Sequence, residues 1–340
     1  MTLKTSRRQV LEDLWDLVGN RTSKTGTSPE MDKINVYLKK SKLRYFTEGR
    51  ANVVFRVEDE QDGSFTGALL RVPKSTPGAD PHSYKRLQDY REKYIEPAVG
   101  AQFLVPQFLI ELTEEQAKDL SQKRDEKLDR NDGSIIPPGY AMLIQDMSQW
   151  PGSNQITLEF KPKWLAQSPI APEDATRCRT CAREAHRNQV KLKEGKSFTP
   201  PVCPLGLLHP NPDIVTATIR DLAPSWSEDD QRRLKDAFTE TKILETLRHH
   251  QVAGDEGRIM FEHPEKPEFG LAMTLRDCTC FVRLDKGTGK VEIKLADVDE
   301  KNWKSKQVYW QESHDMYVDG GFYHGREEPG METHCKLKTE

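Results

Sequence analysis

An alternating run that ends at a proline constrains the fold of this chain more than any other stretch. In residues 155–160 apolar side chains alternate with polar ones, which predicts a β-strand. Pro162 has no N–H to donate to a neighbouring strand, so the strand must end there. Glu159, Lys161 and Lys163 are two residues apart, and we expect them to project from one side of the extended backbone.

A predicted basic helix follows this strand. Arg183 and Arg187 are four residues apart and would share one helical face. Two lysines at the end of a strand, followed by arginines on a helix, indicate a site for a ligand with several negative charges, because functional sites are often built where strands end. A solvated basic surface is the alternative interpretation.

The N-terminal part of the chain predicts a small sheet with a helix. Residues 45–57 contain two β-rich runs around a turn of small residues, which is typical of a hairpin whose backbone N–H groups could contact phosphate. A plain turn is the alternative. Residues 82–96 carry aromatic side chains at helical spacing, which we interpret as core packing. Residues 140–145 predict a buried strand that leads into a polar turn.

The C-terminal part carries carboxylates at predicted strand ends. We expect one long helix over residues 227–250, which begins with an approximate capping box of Ser227 and Asp230, and a strand over 271–275. Asp277 follows that strand, where a simple turn residue is the alternative. Asp297 and Asp299 follow another predicted strand, and carboxylates spaced in this way can hold a magnesium ion that bridges nucleotide phosphates.

Three of the six cysteines indicate a possible zinc site. Cys178 and Cys181 form a Cys-x-x-Cys pair, and Cys203 is a third candidate ligand. A structural zinc site usually has four ligands, so we expect His209, or else His186, as the fourth. Ordinary reduced cysteines are the alternative.

Composition narrows the class of protein. The chain has 340 residues, with 51 basic and 54 acidic side chains, so its net charge of −3 does not favour nucleic acid. No apolar run is long enough to cross a bilayer, and the N-terminus lacks the apolar core of a signal peptide. With six cysteines and no such signal, we expect reduced thiols in an intracellular protein of the nucleus or cytoplasm.

Several separated motifs resemble one enzyme family. The run Glu159-Phe160-Lys161-Pro162-Lys163 resembles the EIKPK signature of inositol-pentakisphosphate 2-kinases, in their fungal form. Residues 48–54, EGRANVV, resemble the nucleotide-covering loop of that family, and Arg276-Asp277-Cys278 resembles its KDC motif. The resemblance extends over roughly residues 45–325.

The resemblance implies a role for each matching residue. Asp277 would accept the proton of the attacking hydroxyl. The residues that would hold ATP are Gly49, Arg50, Ala51, Asn52, Arg71, Gln145, Asp146, Met147 and Glu159. The residues that would bind the phosphates of the substrate are Lys161, Lys163, Arg183, Arg187, Lys301, Lys304 and Tyr309. Asp297 and Asp299 would hold magnesium.

The chain departs from the family pattern on the predicted final helix. Lys301, Ser305 and Tyr309 follow at intervals of four, which would place them on one helical face. The family has a basic residue at the middle position, where this chain has Ser305. Lys304, three residues after Lys301, would lie on the same face and is the expected substitute.

The resemblance also implies the fold. We expect an α+β, two-lobed, kinase-like protein with a small antiparallel N-lobe over residues 1–145 and a larger C-lobe over 146–340. It would be a monomer that phosphorylates inositol pentakisphosphate with ATP and Mg²⁺, and it would need no nucleic acid or membrane. A protein kinase is an alternative, but the chain has no His-Arg-Asp or Asp-Phe-Gly motif. A non-catalytic scaffold that binds inositol polyphosphates would need neither Asp277 nor Asp297.

Overall fold

The chain forms two compact units, Met1–Ser148 and Gln149–Glu340. The computed structural model describes residues 34, 38, 41–49, 51–59, 65–75, 83–127, 133–149, 153–198, 201–325 and 333–337. Arg50, which the sequence assigns to the nucleotide-covering loop, lies outside the described residues. The mixture of helices with antiparallel sheets confirms the predicted α+β class.

The first unit contains a five-stranded sheet. Its strands are β1 Ser41–Glu48, β2 Asn52–Asp59, β3 Phe65–Pro73, β4 Gln107–Leu112 and β5 Gly139–Gln145. The spatial order is β1-β2-β3-β5-β4, and every neighbouring pair is antiparallel. The predicted antiparallel N-terminal sheet is therefore confirmed.

Helices pack on both faces of this sheet. They are α1 Tyr84–Tyr90, continued by a π-helical turn Arg91–Ile95 and by α2 Glu96–Val99, then a 3₁₀ turn Ala101–Phe103 and α3 Glu114–Asp125. Leu143 of β5 joins the core cluster that contains Leu120 of α3. Its neighbour Met142 packs instead with Tyr84 and Leu87 of α1. Successive side chains of a strand point to opposite faces, so α1 and α3 cover different sides.

The second unit contains a three-stranded antiparallel sheet. Its strands are β6 Gln155–Phe160, β7 Thr279–Asp285 and β8 Val291–Ala296, in the order β6-β7-β8. Phe160 pairs with Cys280, and Thr279 pairs with Ala296. The end of β6, the start of β7 and the end of β8 therefore meet at one edge of the sheet.

Seven helices among the described residues complete the second unit. They are α4 Arg179–Lys193, α5 Pro212–Leu222, α6 Glu228–Thr241, α7 Ile243–Ala253, α8 Ile259–Glu262, α9 Pro267–Leu275 and α10 Trp303–Asp319, with a 3₁₀ turn Pro204–Leu208 before α5. In the described part of the chain, no helix has both the length and the apolar character needed to span a bilayer.

The predicted strand at 271–275 is wrong, because these residues end helix α9. Phe269, Ala272 and Leu275 are all fully buried at a spacing of three, which is a helical period. A short apolar run cannot be assigned to a strand or a helix from its pattern alone. Pro267 in the first turn is compatible with the start of a helix.

The single helix predicted over 227–250 is also corrected, since Lys242 divides it into α6 and α7. Lys242 adopts a left-handed conformation with φ 52°, which ends the hydrogen-bonding pattern of α6. The predicted start is confirmed, because the Ser227 side chain accepts a hydrogen bond from the N–H of Asp230.

Lys301 does not share a helical face with Ser305 and Tyr309, because α10 begins only after it. Asn302 is the N-cap, and its side chain accepts a hydrogen bond from the N–H of Ser305. Lys301 therefore lies before the helix, on the segment that follows β8. The argument that placed Lys304 on the same face as Lys301 fails for the same reason.

Candidate active site

The candidate site of the second unit lies at the shared edge of its sheet. Lys161 and Lys163 follow β6, Asp277 precedes β7, and Asp297 follows β8. The antiparallel pairing of the three strands brings these chain segments together, although more than a hundred residues separate Lys161 from Asp277.

Three lysine amines surround the carboxylate of Asp277. Lys163 Nζ lies 3.0 Å from Oδ1, and Lys301 Nζ lies 2.9 Å from Oδ2. Lys161 Nζ lies 3.6 Å from Oδ1 and donates a hydrogen bond to the backbone oxygen of Asp277 across 2.8 Å. The Asp277 side chain remains 47% exposed, so it can still be reached by a ligand.

These amines control the ionisation of Asp277. Partial burial opposes the charged form, but the charges and hydrogen bonds of Lys301 and Lys163 outweigh burial. The pKa of Asp277 is therefore held well below its ordinary value. At neutral pH the side chain is a carboxylate that accepts hydrogen bonds and holds no proton of its own.

Lys163 reaches Asp277 from an unusual backbone conformation. Its φ is 57°, in the left-handed region that non-glycine residues rarely occupy. The expectation that Glu159, Lys161 and Lys163 project from one side of an extended backbone therefore fails at Lys163. Burial lowers the pKa of the Lys163 amine, its hydrogen bond and charge interaction with Asp277 oppose that shift, and the charges of Arg183 and Lys161 add to it.

Asp297 extends the site from the end of β8. Its φ is 56°, and its Oδ2 atom lies 3.2 Å from Lys161 Nζ and 3.4 Å from the hydroxyl of Thr279, which donates to it. The carboxylate is more than half exposed. Asp299 contributes its backbone oxygen to a hydrogen bond from Thr274 Oγ1. The exposed carboxylate of Asp297 is the type of oxygen ligand that magnesium prefers.

The other predicted phosphate-binding residues lie on helices α4 and α10. Arg183 and Arg187 both contact Glu184, at 3.5 and 3.2 Å, and Arg187 is the more exposed. Tyr309 is 58% exposed. Lys304 is exposed as well, with its amine 5.8 Å from the centre of the Trp303 ring.

In the first unit, the predicted nucleotide-binding residues Gly49, Ala51 and Asn52 lie at the turn between β1 and β2. Lys74 N donates to Ala51 O, and Gly49 N donates to Asn52 O, both across 2.8 Å. A Cβ atom at Gly49 would meet no described atom within 4 Å, so packing does not require glycine there. An absent side chain leaves the backbone open to close approach by a ligand.

Asn52, Arg71 and Tyr84 form one polar cluster in the first unit. In the amide orientation that satisfies both of its polar atoms, Asn52 accepts a hydrogen bond from Arg71 Nη2 across 2.7 Å and also bonds the Tyr84 hydroxyl. The Arg71 guanidinium lies 5.5 Å from the centre of the Tyr84 ring. The sequence assigned Tyr84 only to the core, but its hydroxyl also bonds Asn52 and its ring lies beside the Arg71 guanidinium.

Two backbone N–H groups at the end of β5 donate hydrogen bonds within the protein. Gln145 N donates to Pro106 O across 3.1 Å, and Asp146 N donates to Gly67 O across 2.9 Å. Met147 is buried. Because these two N–H groups already donate hydrogen bonds within the protein, an adenine ring would have to use other backbone groups of this stretch. Glu159, the remaining predicted nucleotide ligand, is an exposed residue of β6 in the second unit.

Four cysteines converge in the second unit, in an arrangement that could hold a metal ion. The Sγ atoms of Cys178, Cys181, Cys203 and Cys335 all lie within 4.8 Å of one another. Cys203 Sγ is 3.9 Å from Cys178 Sγ and 4.0 Å from Cys335 Sγ. Tetrahedral zinc with bonds of about 2.3 Å would separate its sulfur ligands by about 3.8 Å, close to these distances.

The fourth member of this cluster is Cys335, and neither of the histidines expected as the fourth ligand belongs to it. His209 Nδ1 accepts a hydrogen bond from Asn211 N, and the His186 ring packs against Tyr317 and Phe322. Cys335 lies 132 residues beyond Cys203, so no local spacing links the two. The only sequence signal was an unassigned cysteine in a polar C-terminal stretch.

A partly exposed carboxylate surrounded by lysines can serve phosphoryl transfer to a polyanion, which needs positioning and charge neutralisation, and this is the class of chemistry that the fold and site support. Comparison with known proteins gives the family. The family model for inositol-pentakisphosphate 2-kinase matches residues 45–247 and 225–315. The chain belongs to this family, and the resemblance inferred from its motifs is confirmed.

Three fungal proteins named inositol-pentakisphosphate 2-kinase are similar to this chain. The protein of Yarrowia lipolytica is 28% identical over 313 residues, which cover 88% of this chain and 96% of the relative. The Kluyveromyces lactis protein is 27% identical over 162 residues, 47% of this chain and 48% of the relative. That of Eremothecium gossypii is 28% identical over 166 residues, 47% and 53% of the respective chains.

Proposed function

We propose that this protein transfers the γ-phosphoryl group of ATP to the 2-hydroxyl of inositol 1,3,4,5,6-pentakisphosphate, giving inositol hexakisphosphate. The observation that carries the proposal is the carboxylate of Asp277 within reach of the amines of Lys161, Lys163 and Lys301. A base beside several cations suits a substrate that offers one hydroxyl among many phosphates. Family membership and the names of the relatives support this substrate.

In this mechanism, Asp277 accepts the proton of the 2-hydroxyl as the hydroxyl oxygen bonds to the γ-phosphorus and ADP leaves. The three lysines bind substrate phosphates, and Arg183, Arg187, Lys304 and Tyr309 would add further contacts. Phosphates that draw lysines away from Asp277 also raise its pKa, because the carboxylate loses cationic partners. Substrate binding would then make Asp277 a stronger base.

Magnesium would be held by Asp297, with Asp299 as a second candidate ligand. An exposed carboxylate at a strand end fits this hard cation, which prefers oxygen ligands. When bound, the ion neutralises charge on the phosphates of the nucleotide. Lys161, which contacts both Asp277 and Asp297, would keep the two carboxylates from repelling each other.

The nucleotide contacts of the first unit would come from Gly49, Ala51, Asn52 and Arg71, with Arg50 as a further candidate. The guanidinium of Arg71 can bind phosphate oxygens with two parallel hydrogen bonds, and Asn52 orients it. The N–H groups of Gln145 and Asp146 are engaged by Pro106 and Gly67, so we assign the adenine contact of this stretch to Met147 N–H. Glu159 remains a proposed nucleotide ligand of the second unit.

A structural zinc ion would be held by Cys178, Cys181, Cys203 and Cys335. Four thiolates in tetrahedral positions are a common ligand set for structural zinc, and three of these cysteines are buried. Backbone N–H groups of Cys178 and Lys336 donate to the sulfurs of Cys335 and Cys203, which would stabilise the thiolate charge. The ion would attach the described segment 333–337 to the start of α4.

The experiment that tests the function uses purified protein, ATP labelled in its γ-phosphate, and the pentakisphosphate. Anion exchange separates the products, and phosphorus NMR assigns the position of the new ester. We expect label in the hexakisphosphate, with the new phosphate on carbon 2. Asp277→Asn should give no label in the hexakisphosphate. Asp229→Asn is its matched control and should retain the activity, because Asp229 is an exposed residue paired with Arg232. No label in the hexakisphosphate from the unaltered protein, or label on another carbon, would contradict the proposal.

A further inference from the structure

The turn that carries Lys163 is hydrogen-bonded to one buried glutamine. Gln251 lies on α7 with only 1% of its surface exposed. Its Oε1 atom accepts a hydrogen bond from Leu165 N across 2.8 Å. Its Nε2 atom donates to Lys163 O across 2.8 Å and to Leu275 O across 3.2 Å. One side chain therefore joins three backbone groups from two distant segments.

Both of these segments lead into the site. Lys163, between Pro162 and Trp164, holds its left-handed conformation in a turn whose carbonyl and next-but-one N–H are bonded to Gln251. Such a conformation persists only where surrounding contacts impose it. Leu275 ends helix α9, two residues before Asp277. The carboxamide thus connects the backbone of a site lysine to the backbone that precedes the proposed base.

A second set of contacts supports the same connection. Arg276, which precedes Asp277, is almost fully buried and forms an ion pair with the buried Asp255. Its Nη2 atom donates to the backbone oxygen of Gln251 across 2.8 Å. Its guanidinium also stacks on the ring of Trp164, 3.6 Å from the centre. Arg276 therefore connects the turn at Lys163 to α7 through Trp164, and Gln251 connects the same two segments by hydrogen bonds.

We infer that Gln251 is a positioning residue of this site, which sets the placement of Lys163 relative to Asp277 through their backbones. The inference rests on the proposed function only for its consequence in catalysis. Gln251 contacts neither reacting group, so its effect must pass through the Lys163 and Leu275 backbones. A carboxamide suits this task, because it supplies two donor hydrogens and one acceptor oxygen in a fixed plane.

The sequence contained a signal for this residue. Leu244, Leu247 and Gln251 follow at spacings of three and four, so they share one face of α7. Leu244 and Leu247 are buried, which makes Gln251 a polar residue on an apolar stripe. A buried amide must find hydrogen-bond partners, and here its partners are the two segments of the site.

The test replaces Gln251 by methionine, which keeps length and volume but removes all three hydrogen bonds. Gln231→Met is the matched control, because Gln231 also donates to two backbone carbonyls, those of Ala223 and Trp226, between α5 and α6. Displacement of a catalytic group by about 1 Å can cost on the order of 10²-fold in rate. We expect a fall in kcat of that order for Gln251→Met, with KM for ATP unchanged, and a change of less than about threefold for Gln231→Met.

A second measurement does not depend on turnover. Carbon NMR follows the titration of the Asp277 carboxyl without substrate, and Asp277→Asn assigns its signal. If Gln251→Met releases Lys163, the carboxyl loses one of its cationic partners, and its pKa should rise toward the ordinary value. Gln231→Met should leave this titration unchanged. A variant that merely loosened the fold elsewhere would not move it.

Each outcome decides the inference. A fall in kcat together with a raised Asp277 pKa supports it. An unchanged titration overturns it, whatever happens to kcat, because the loss would then come from general destabilisation. If the unaltered protein does not phosphorylate the pentakisphosphate, the proposed function fails and the titration alone decides the positioning role. If Gln251→Met does not fold, Gln251→Leu is used with the same expectations, because it also removes the three hydrogen bonds and buries no charge.

Discussion

The amine of Lys301 donates a hydrogen bond to Oδ2 of Asp277 across 2.9 Å. Asp277 follows helix α9, whereas Lys301 follows strand β8, and 24 residues separate them. The same carboxylate accepts a hydrogen bond from Lys163 on its other oxygen. The proposed base and the proposed phosphate ligands are therefore partners of one another in the protein without substrate, and several measurable effects follow.

Replacement of Asp277 by asparagine should separate catalysis from binding. The variant keeps the shape of the side chain but cannot accept a proton, and such losses cost on the order of 10²–10⁴-fold in kcat. The pentakisphosphate should bind more tightly, because Lys163 and Lys301 no longer contact a carboxylate. Calorimetry with the pentakisphosphate measures this change. Near-normal turnover by Asp277→Asn would show that another group is the base.

Asp297→Asn should behave differently from Asp277→Asn. We expect a higher KM for ATP at limiting magnesium and partial recovery at high magnesium, because the ion would lose a charged ligand. Steady-state kinetics over a series of magnesium concentrations provides the measurement. The same ATP and magnesium dependence in Asp297→Asn and in the unaltered protein would remove Asp297 from the proposed metal site.

Lys301→Met and Lys304→Met test which of these two lysines contributes more to the reaction with the pentakisphosphate. Lys301 contacts Asp277, whereas the Lys304 amine lies near the Trp303 ring. We therefore expect the larger loss of kcat/KM for the pentakisphosphate from Lys301→Met, by at least about tenfold over Lys304→Met, which corresponds to about 1.4 kcal/mol. Equal losses from the two variants would mean that Lys304 supplies the basic contact that the family makes from the position of Ser305.

Acid should remove the stabilising contribution of Asp277. Its folded-state pKa lies below the ordinary value of about 3.9, so its contribution to the free energy of unfolding is complete above that pH. It is lost as the pH falls below about 4 toward the depressed folded-state pKa. The stability difference between the unaltered protein and Asp277→Asn should therefore shrink over this range in urea titrations. A difference that grows on acidification would contradict the proposed sign of the shift.

Removal of Cys335 should remove zinc. Cys335→Ser loses one of four proposed ligands, and metal binding is coupled to folding, so both zinc content and melting temperature should fall. A chelator should lower the melting temperature of the unaltered protein but have little further effect on the variant. Cys280→Ala removes a buried cysteine outside the cluster and should retain zinc. Protein purified without chelator that contains no zinc would refute this assignment.

Alanine at Gly49 should impair nucleotide binding but not folding. A Cβ atom there meets no described atom within 4 Å, so we expect a stability change within about 0.5 kcal/mol. KM for ATP should rise, because the new methyl group limits approach to the turn. Gly270→Ala alters an equally open glycine on α9 and should leave KM for ATP unchanged. An unchanged KM for ATP in Gly49→Ala would argue against a nucleotide contact at this turn.

The sequence by itself determined the features that depend on local periodicity and on proline. Alternation over residues 155–160 predicted β6, and Pro162 correctly marked where it ends. The antiparallel sheet of the first unit and the Ser227 cap of α6 follow from equally local patterns. The motifs around Lys161 and Asp277 also identified the family, because they are continuous in the chain.

Tertiary structure alone decided the contacts between distant segments. Cys335 meets Cys178 across 157 residues, and Gln251 meets Leu165 across 86. Residues 271–275 form a helix although their short apolar run fits either element, and the left-handed Lys163 depends on contacts from α7. Local patterns predict elements because backbone geometry repeats along the chain. Which side chains then meet depends on how those elements pack, and that is a property of the folded chain as a whole.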